Sequence, residues 1–371
     1  MCIASFQLMA RPEHLAVWNI KASDYPRGST TERQLRFLLG YAILAPSSHN
    51  TQPWMFQVDE EGIDVYADHS RILSVIDADG RQLLMSVGGA ILNLRIAMLR
   101  FGCTPHVELF PDPRHPGYVA RISIAGTCEP RLDVVNLFDA IPARRTNRQT
   151  FAKIPVSQVI TDHIIGAARQ EGAWLVRLHP DERTSAAELI AAADRQQFQD
   201  ERFRAELARW LVSNNSRRGD GIPGYSKSYG APLSGANTLL VRSFDIGGRI
   251  AEGERDLVNG SPMLAVLGTE RDDQRAWVAA GQAMQRALLT AGVHGLSVSF
   301  LNQALEIAEF RTEFETLTGQ DHPQLVLRFG FGPASDSPTP RRSVNQVLGV
   351  PDLVAQIVGA GDAGSHEAVV D

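Results

Sequence analysis

Ala45-Pro46-Ser47-Ser48-His49-Asn50-Thr51-Gln52-Pro53-Trp54 is the stretch on which the reading of the fold turns. It follows an amphipathic run, Leu35 to Ala45, and precedes a β-type run, Trp54 to Val58. Polar side chains crowded between a helix end and a strand start mark a turn that faces a ligand. The plainer alternative is a well-capped loop with a buried tryptophan.

Two distant stretches bear on that choice. Ala143-Arg144-Arg145-Thr146-Asn147-Arg148 places three arginines within five residues, with a hydroxyl among them. Guanidinium forks give charge-assisted, often bidentate bonds to phosphate oxygens, and Thr146 adds a neutral donor. Taken alone, such a run is more commonly a solvated basic turn. Near the end, Arg328-Phe329-Gly330-Phe331-Gly332 is followed by Pro338-Thr339-Pro340-Arg341-Arg342-Ser343-Val344, where prolines hold the backbone extended before two more arginines.

The first stretch resembles the flavin-facing turn of FMN-dependent nitroreductases, and the other two resemble the turns with which that family grips the FMN phosphate. Ser86-Val87-Gly88-Gly89-Ala90, Gly281-Gln282-Ala283-Met284 and Gly295-Leu296-Ser297-Val298-Ser299-Phe300-Leu301 extend the likeness over roughly residues 30 to 350. The branch it resembles is the Acg-like one, in which one long chain holds two nitroreductase halves. The resemblance implies an α+β fold of mainly antiparallel sheets flanked by helices. It implies that Arg144, Arg145, Thr146, Arg148, Arg341 and Arg342 surround the phosphate. Ser47, Ser48 and Asn50 approach the isoalloxazine from the other half, and Gln52 either joins them or braces the turn. Phe300, Leu301 and Asn302 fall where relatives place backbone donors near the flavin, although plain core packing explains Phe300 and Leu301 equally well. Two departures stand out. Asp256 occupies the neighbourhood of a lysine common in relatives, which leaves Arg255 or the C-terminal arginines to compensate. Asn302-Gln303 replaces the usual acidic-glycine pair.

An internal repeat accompanies the resemblance. Gly88, Ala90 and Gly102 have the same mutual spacing as Gly281, Ala283 and Gly295, each set opening and closing a helix of about four turns. Ala283, Ala287 and Ala291 share one helical face and would let another helix approach closely. The divisions that follow are an N-terminal extension over 1–28, a first half over 29–135, a second half over 136–350 and a tail over 351–371. Only the first half holds the Ser-Ser-His-Asn turn, and only the second holds the arginine-rich turn. A fused pair with complementary losses keeps one composite FMN site, so a monomer acting as an internal pseudo-dimer is expected. The second half carries a Gly- and Pro-rich insertion at about 213–245. Loops of that length are often lids, and Tyr225, Tyr229 and Leu233 would supply an apolar underside.

Bulk properties narrow the function. The net charge of −6 and the lack of a basic stripe argue against a nucleic-acid surface. Hydrophobic content of 44% with 21% charged residues is that of a globular chain. Cys2, Cys103 and Cys128 are too scattered for a disulfide framework or a thiolate metal site, which fits a reducing cytoplasm. Arg11, Glu13 and His14 break the first apolar run, so neither a signal peptide nor a membrane span is read. The histidines lack close metal-ligand spacing, and no metal is expected. The expectation is an oxidoreductase with a ping-pong cycle, passing electrons from NAD(P)H through FMN to a nitro, quinone or related conjugated acceptor. The rival is a protein that stores FMN behind a closed lid.

Overall fold

The computed structural model of the chain describes residues 13–226, 241, 247–333 and 337–349. Its first part runs α1 (Glu13–Ala16), α2 (Thr31–Ala42), β1 (Trp54–Val58), β2 (Gly62–Ala67), α3 (Arg81–Arg100), β3 (Cys103–Leu109), β4 (Tyr118–Thr127) and α4 (Leu132–Ala143). It continues with α5 (Gln158–Gln170), β5 (Trp174–Arg177), α6 (Pro180–Gln199), α7 (Glu201–Trp210), β6 (Leu211–Val212), β7 (Ile222–Pro223) and α8 (Gly247–Asn259). The last part is β8 (Met263–Gly268), α9 (Gln274–Val293), β9 (Ser297–Phe300), α10 (Ala308–Thr318) and β10 (Pro323–Gly330). This is the α+β class expected.

Local chemistry sets the boundaries. Asp59 Oδ1 accepts from the backbone of Glu61 and Gly62, both at 2.8 Å, and closes the β1–β2 hairpin. Buried Asp77 caps α3 through the N–H groups of Gln82 (2.7 Å) and Leu83 (2.8 Å). Asp273 does the same for α9 through Ala276 at 2.9 Å. Both long helices end on a left-handed glycine, Gly102 at φ +84 and Gly295 at φ +73. α6 and α7 are separated at Asp200, whose extended backbone ends α6 and whose side chain caps α7 through Arg202 N at 2.8 Å.

Two four-stranded sheets result, in the orders β1-β2-β4-β3 and β5-β8-β10-β9, with every neighbouring pair antiparallel. Each follows the order first, second, fourth, third of its own strands. The sheets differ in burial. β4 alternates buried and half-buried residues over its first part, whereas β8 and β10 are buried along their whole length. A strand covered on both faces reads as continuously apolar, as Met263-Leu264-Ala265-Val266-Leu267 does. One face packs on α5 and α9; the other packs on α6, α8 and α10.

Between the sheets, α3 and α9 pack against each other, each twenty residues long. Contact is backbone to backbone and reciprocal. A methyl group on Gly88 would strike the carbonyl oxygen of Val278, and one on Gly281 would strike that of Met85. Among the described residues α3 is the one helix long and apolar enough to cross a membrane, and 89% of that window is buried inside the fold. Its hydrophobicity therefore serves the core. Gln285 Nε2 donates to Asn93 Oδ1 at 2.7 Å across this interface, linking two buried amides, while Gln285 Oε1 has no hydrogen-bond partner.

Candidate functional site

The Ser47–Gln52 turn is built under strain. His49, Asn50 and Gln52 all have positive φ, at 51, 57 and 52, although none is glycine. Such conformations cost about 1–3 kcal/mol each and persist where the surroundings over-determine them. Here the side chains of the turn do that. Asn50 Nδ2 donates to Gly221 O (2.9 Å) and Pro340 O (3.0 Å), while Asn50 Oδ1 accepts from Arg341 at 2.8 Å. Gln52 Nε2 donates to Gly219 O at 2.7 Å, and Gln52 Oε1 accepts from Arg342 N at 2.8 Å. Two remote segments, 219–221 and 340–342, thus meet on one turn. Gly219 leaves no room for a side chain against the backbone of Arg341 and Arg342.

The arginine turn follows α4. It is fastened to the second sheet by Asn147 N donating to Val298 O at 2.9 Å and by Arg328 donating to Asn147 O at 3.0 Å. Arg144 is half-buried, and its guanidinium donates to Thr146 Oγ1 at 3.4 Å. Its Nε has no hydrogen-bond partner. Burial, with Arg145 and Arg148 beside it, pushes this guanidinium down to about 9. Arg341 is fully buried; burial, then Arg144 and Arg145, hold it well below the usual range. Buried cations whose charged neighbours are other cations form a strong anion demand.

These stretches face one cavity of about 900 Å³, within the usual range for ligand pockets. At one end stand Arg144, Thr146, Arg148 and Arg341. Ser47, Ser48, Gln82, Ser86, Met284, Phe300 and Asn302 also line the cavity, drawn from two stretches far apart in the chain, 47–86 and 284–302. Ser48 Oγ donates to Gln82 Oε1; Gln82 Nε2 reaches Glu306 at 2.9 Å, and Gln197 Nε2 reaches its other oxygen at 2.7 Å. Burial raises the Glu306 carboxyl despite those two amide donors. Part of the lining is apolar, with Phe198, Phe203, Leu207, Ile222 and Ile250.

The nitroreductase family model matches residues 141–332. A Mycobacterium tuberculosis protein provisionally named NAD(P)H nitroreductase Rv3131 is 32% identical over 323 residues, covering 86% of this chain and 92% of the relative. The chain belongs to the nitroreductase family. A second Mycobacterium tuberculosis relative of this nitroreductase, provisionally named NAD(P)H nitroreductase acg, is 27% identical over 88% of this chain and 98% of its own. The solved FMN-dependent nitroreductase NfnB from Mycobacterium smegmatis, in complex with NADPH, is 14% identical with a TM-score of 0.38, over 58% of this chain and 98% of that one.

Of the residues singled out in the sequence of this nitroreductase, Ser47, Ser48, Asn50, Arg144, Arg145, Thr146, Arg148, Phe300, Asn302 and Arg341 line the cavity. Gln52, Leu301 and Arg342 do not. Gln52 is fully buried as a strut. Arg342 reaches Gln52 O at 3.2 Å and Gln346 O at 2.6 Å. Leu301 lies in the core with Leu178 and Val326, and its N–H donates to Val326 O at 2.9 Å. Arg255 pairs with Glu188 at 2.6 Å. The insertion's first part packs on the turn: Arg71 holds Asp220 at 2.8 Å, and Tyr225 lines the cavity while its hydroxyl donates to Pro338 O at 3.0 Å. Tyr229 and Leu233 lie outside the described residues. Trp18, Gln82, Gln197 and Glu306 also line the cavity and were not anticipated. Gln82, one residue into a helix that opens after Asp79-Gly80, carried the clearest missed signal: a polar side chain inside an otherwise apolar core helix.

Proposed function

We propose that this nitroreductase binds FMN and uses NAD(P)H to reduce nitro, quinone or related conjugated acceptors in a ping-pong cycle. The observation that carries the reading is the enclosed Nε of the half-buried Arg144. That atom has no partner, the side chain's charged neighbours are arginines, and the side chain opens onto a cavity large enough for a nucleotide-sized ligand. A phosphate dianion supplies what that site lacks. Arg144, Thr146 and Arg148 would hold the phosphate, with Arg341 behind them. The Ser47 and Ser48 hydroxyls, with Phe300 and Asn302, would flank the ring system. The apolar wall from Phe198 to Ile250 would exclude water and take the acceptor's ring. FMN, when bound, supplies the chemistry by taking up and passing on reducing equivalents. The relatives named as NAD(P)H nitroreductases support the choice of donor. Mixing purified holoprotein with NADPH, then NADH, without oxygen tests it: rapid bleaching of the flavin absorbance supports turnover. A flavin that stays oxidised with both refutes it and favours storage.

We further propose one FMN per chain in a single-chain pseudo-dimer. The same strand order in both sheets and the reciprocal Gly88–Gly281 contact support two equivalent halves. The strained turn comes from one half and Arg144 from the other. Flavin released by denaturation should therefore equal protein in molar amount. A ratio of two flavins per chain, or of one per two chains, refutes the proposal.

A further inference from the structure

The cavity's phosphate end has a wall from neither repeated half. Trp18 belongs to the N-terminal segment, outside the stretch matched by the family model, and it is 5% exposed. Its ring centroid lies 4.2 Å from the Arg145 guanidinium carbon and 4.8 Å from that of Arg341. The indole is fixed in place. Its Nε1–H donates to Thr339 O at 2.8 Å, and the Arg341 N–H donates to His14 O at 2.9 Å. The segment is anchored further along, where Ile20 fills the notch left by Gly40 and Tyr25 stacks on Phe101 at 4.0 Å. Trp18 lines the same cavity as Arg144 and Arg341.

Arg144, Arg145 and Arg341 repel one another. Hydrogen bonds hold each of two guanidinium groups separately, Arg145 to the carbonyls of Pro142 and Arg144, and Arg341 to Asn50 and Thr339, whereas the Trp18 ring touches both. An indole face is the strongest neutral cation acceptor among side chains, and a desolvated pair gains more than an exposed one. Its attraction draws cations together without adding a negative charge beside an incoming anion. An aspartate would also hold them, but would compete with that anion.

We propose that Trp18 is a positioning residue that gathers Arg145 and Arg341 beside Arg144 for the FMN phosphate, so that cofactor retention depends on the N-terminal segment. The proposal rests on the FMN reading above. It assigns Trp18 to the phosphate and not to the flavin ring, and this makes it separable from a merely structural role.

The test compares Trp18→Phe and Trp18→Leu in the full-length, flavin-stripped chain. Dissociation constants for FMN and riboflavin are read from flavin fluorescence. Phenylalanine keeps an aromatic face; leucine keeps apolar bulk without one. Trp18→Leu should weaken FMN binding about tenfold, in keeping with a desolvated cation–π contact, and leave riboflavin binding nearly unchanged. Trp18→Phe should stay near wild type for both. A Leu variant that matches wild type for FMN overturns the proposal. So does one that loses FMN and riboflavin equally, which would mean a packing role. Wild-type protein that binds FMN no better than riboflavin would instead refute the phosphate site itself, and the role of Trp18 with it. A second readout survives a Leu variant that fails to fold: titrating wild type with inorganic phosphate should change tryptophan emission, and Trp18→Phe should lose that change. An unaltered response in Trp18→Phe also overturns the proposal.

Discussion

Replacing Arg144 with alanine should weaken FMN binding by about 1.5–3 kcal/mol, the scale of a hydrogen bond to a charged group, which is roughly one to two powers of ten in dissociation constant. Riboflavin, which lacks the phosphate, should bind almost as before. Stability should hold or improve, because the guanidinium is buried beside other cations and its Nε has no partner; removing it leaves no buried group newly orphaned. Arg341→Ala should behave differently. Arg341 donates to Asn50 Oδ1, Thr339 Oγ1, Pro340 O and Ala45 O at 2.7–3.0 Å, so its loss frees the strained turn. Both flavins should then bind worse, and the protein should unfold earlier. The pH dependence follows from the ligand. A phosphate monoester dianion takes up a proton near pH ~6, so wild-type FMN affinity should fall as pH drops through that value. The dianion is the form that the arginines favour, and protonation removes half of its charge. Arg144→Ala should flatten that dependence. Parallel titrations of both flavins at several pH values measure all of this, and an Arg144→Ala protein with intact FMN affinity would sink the phosphate assignment.

The parts of the site that were legible in the sequence are those where chemistry restricts residue type locally. Clustered arginines and a polar turn between helix and strand announce themselves whatever the tertiary fold. What those residues do individually was not legible. Asn50, Gln52 and Arg342 carry the polar groups expected of ligand contacts, yet they spend hydrogen bonds on fixing a backbone with three left-handed residues. That backbone strain leaves no compositional trace, since none of the three is glycine. Phe300 and Leu301 were inseparable as a motif, but neighbouring side chains on an extended chain point to opposite sides. Phe300 therefore faces the cavity while Leu301 enters the core. Trp18 and Glu306 were invisible for another reason. Each joins the site only through contacts distant in sequence, and alone each reads as an ordinary core aromatic or helix-end acid. The long helices were more legible, because Gly102 and Gly295 mark the turns that end them; Gly88 and Gly281, read as opening them, lie inside them at their contact.

That contact yields a stability prediction of opposite sign to the usual helix rule. Alanine is about 1 kcal/mol better than glycine within a helix, so Gly281→Ala should stabilise the chain if the position were open. It is closed: the added methyl would meet the carbonyl oxygen, carbon and Cα of Met85, backbone that no rotamer change can move aside. Overpacking of this kind costs about 1–3 kcal/mol, and more where backbone must shift. Gly88→Ala should cost a similar amount, since it meets Val278 in the same way. Gly166 in α5 is the control, with nothing within 4 Å of an added Cβ; Gly166→Ala should be neutral or stabilising. Met85, Ser86 and Met284 line the cavity from these two helices, so prising them apart should weaken FMN and riboflavin alike, unlike Arg144→Ala. Urea unfolding of the three variants decides the matter. If Gly281→Ala proves as stable as Gly166→Ala, the helices do not touch backbone to backbone, and the two halves are not joined in this way.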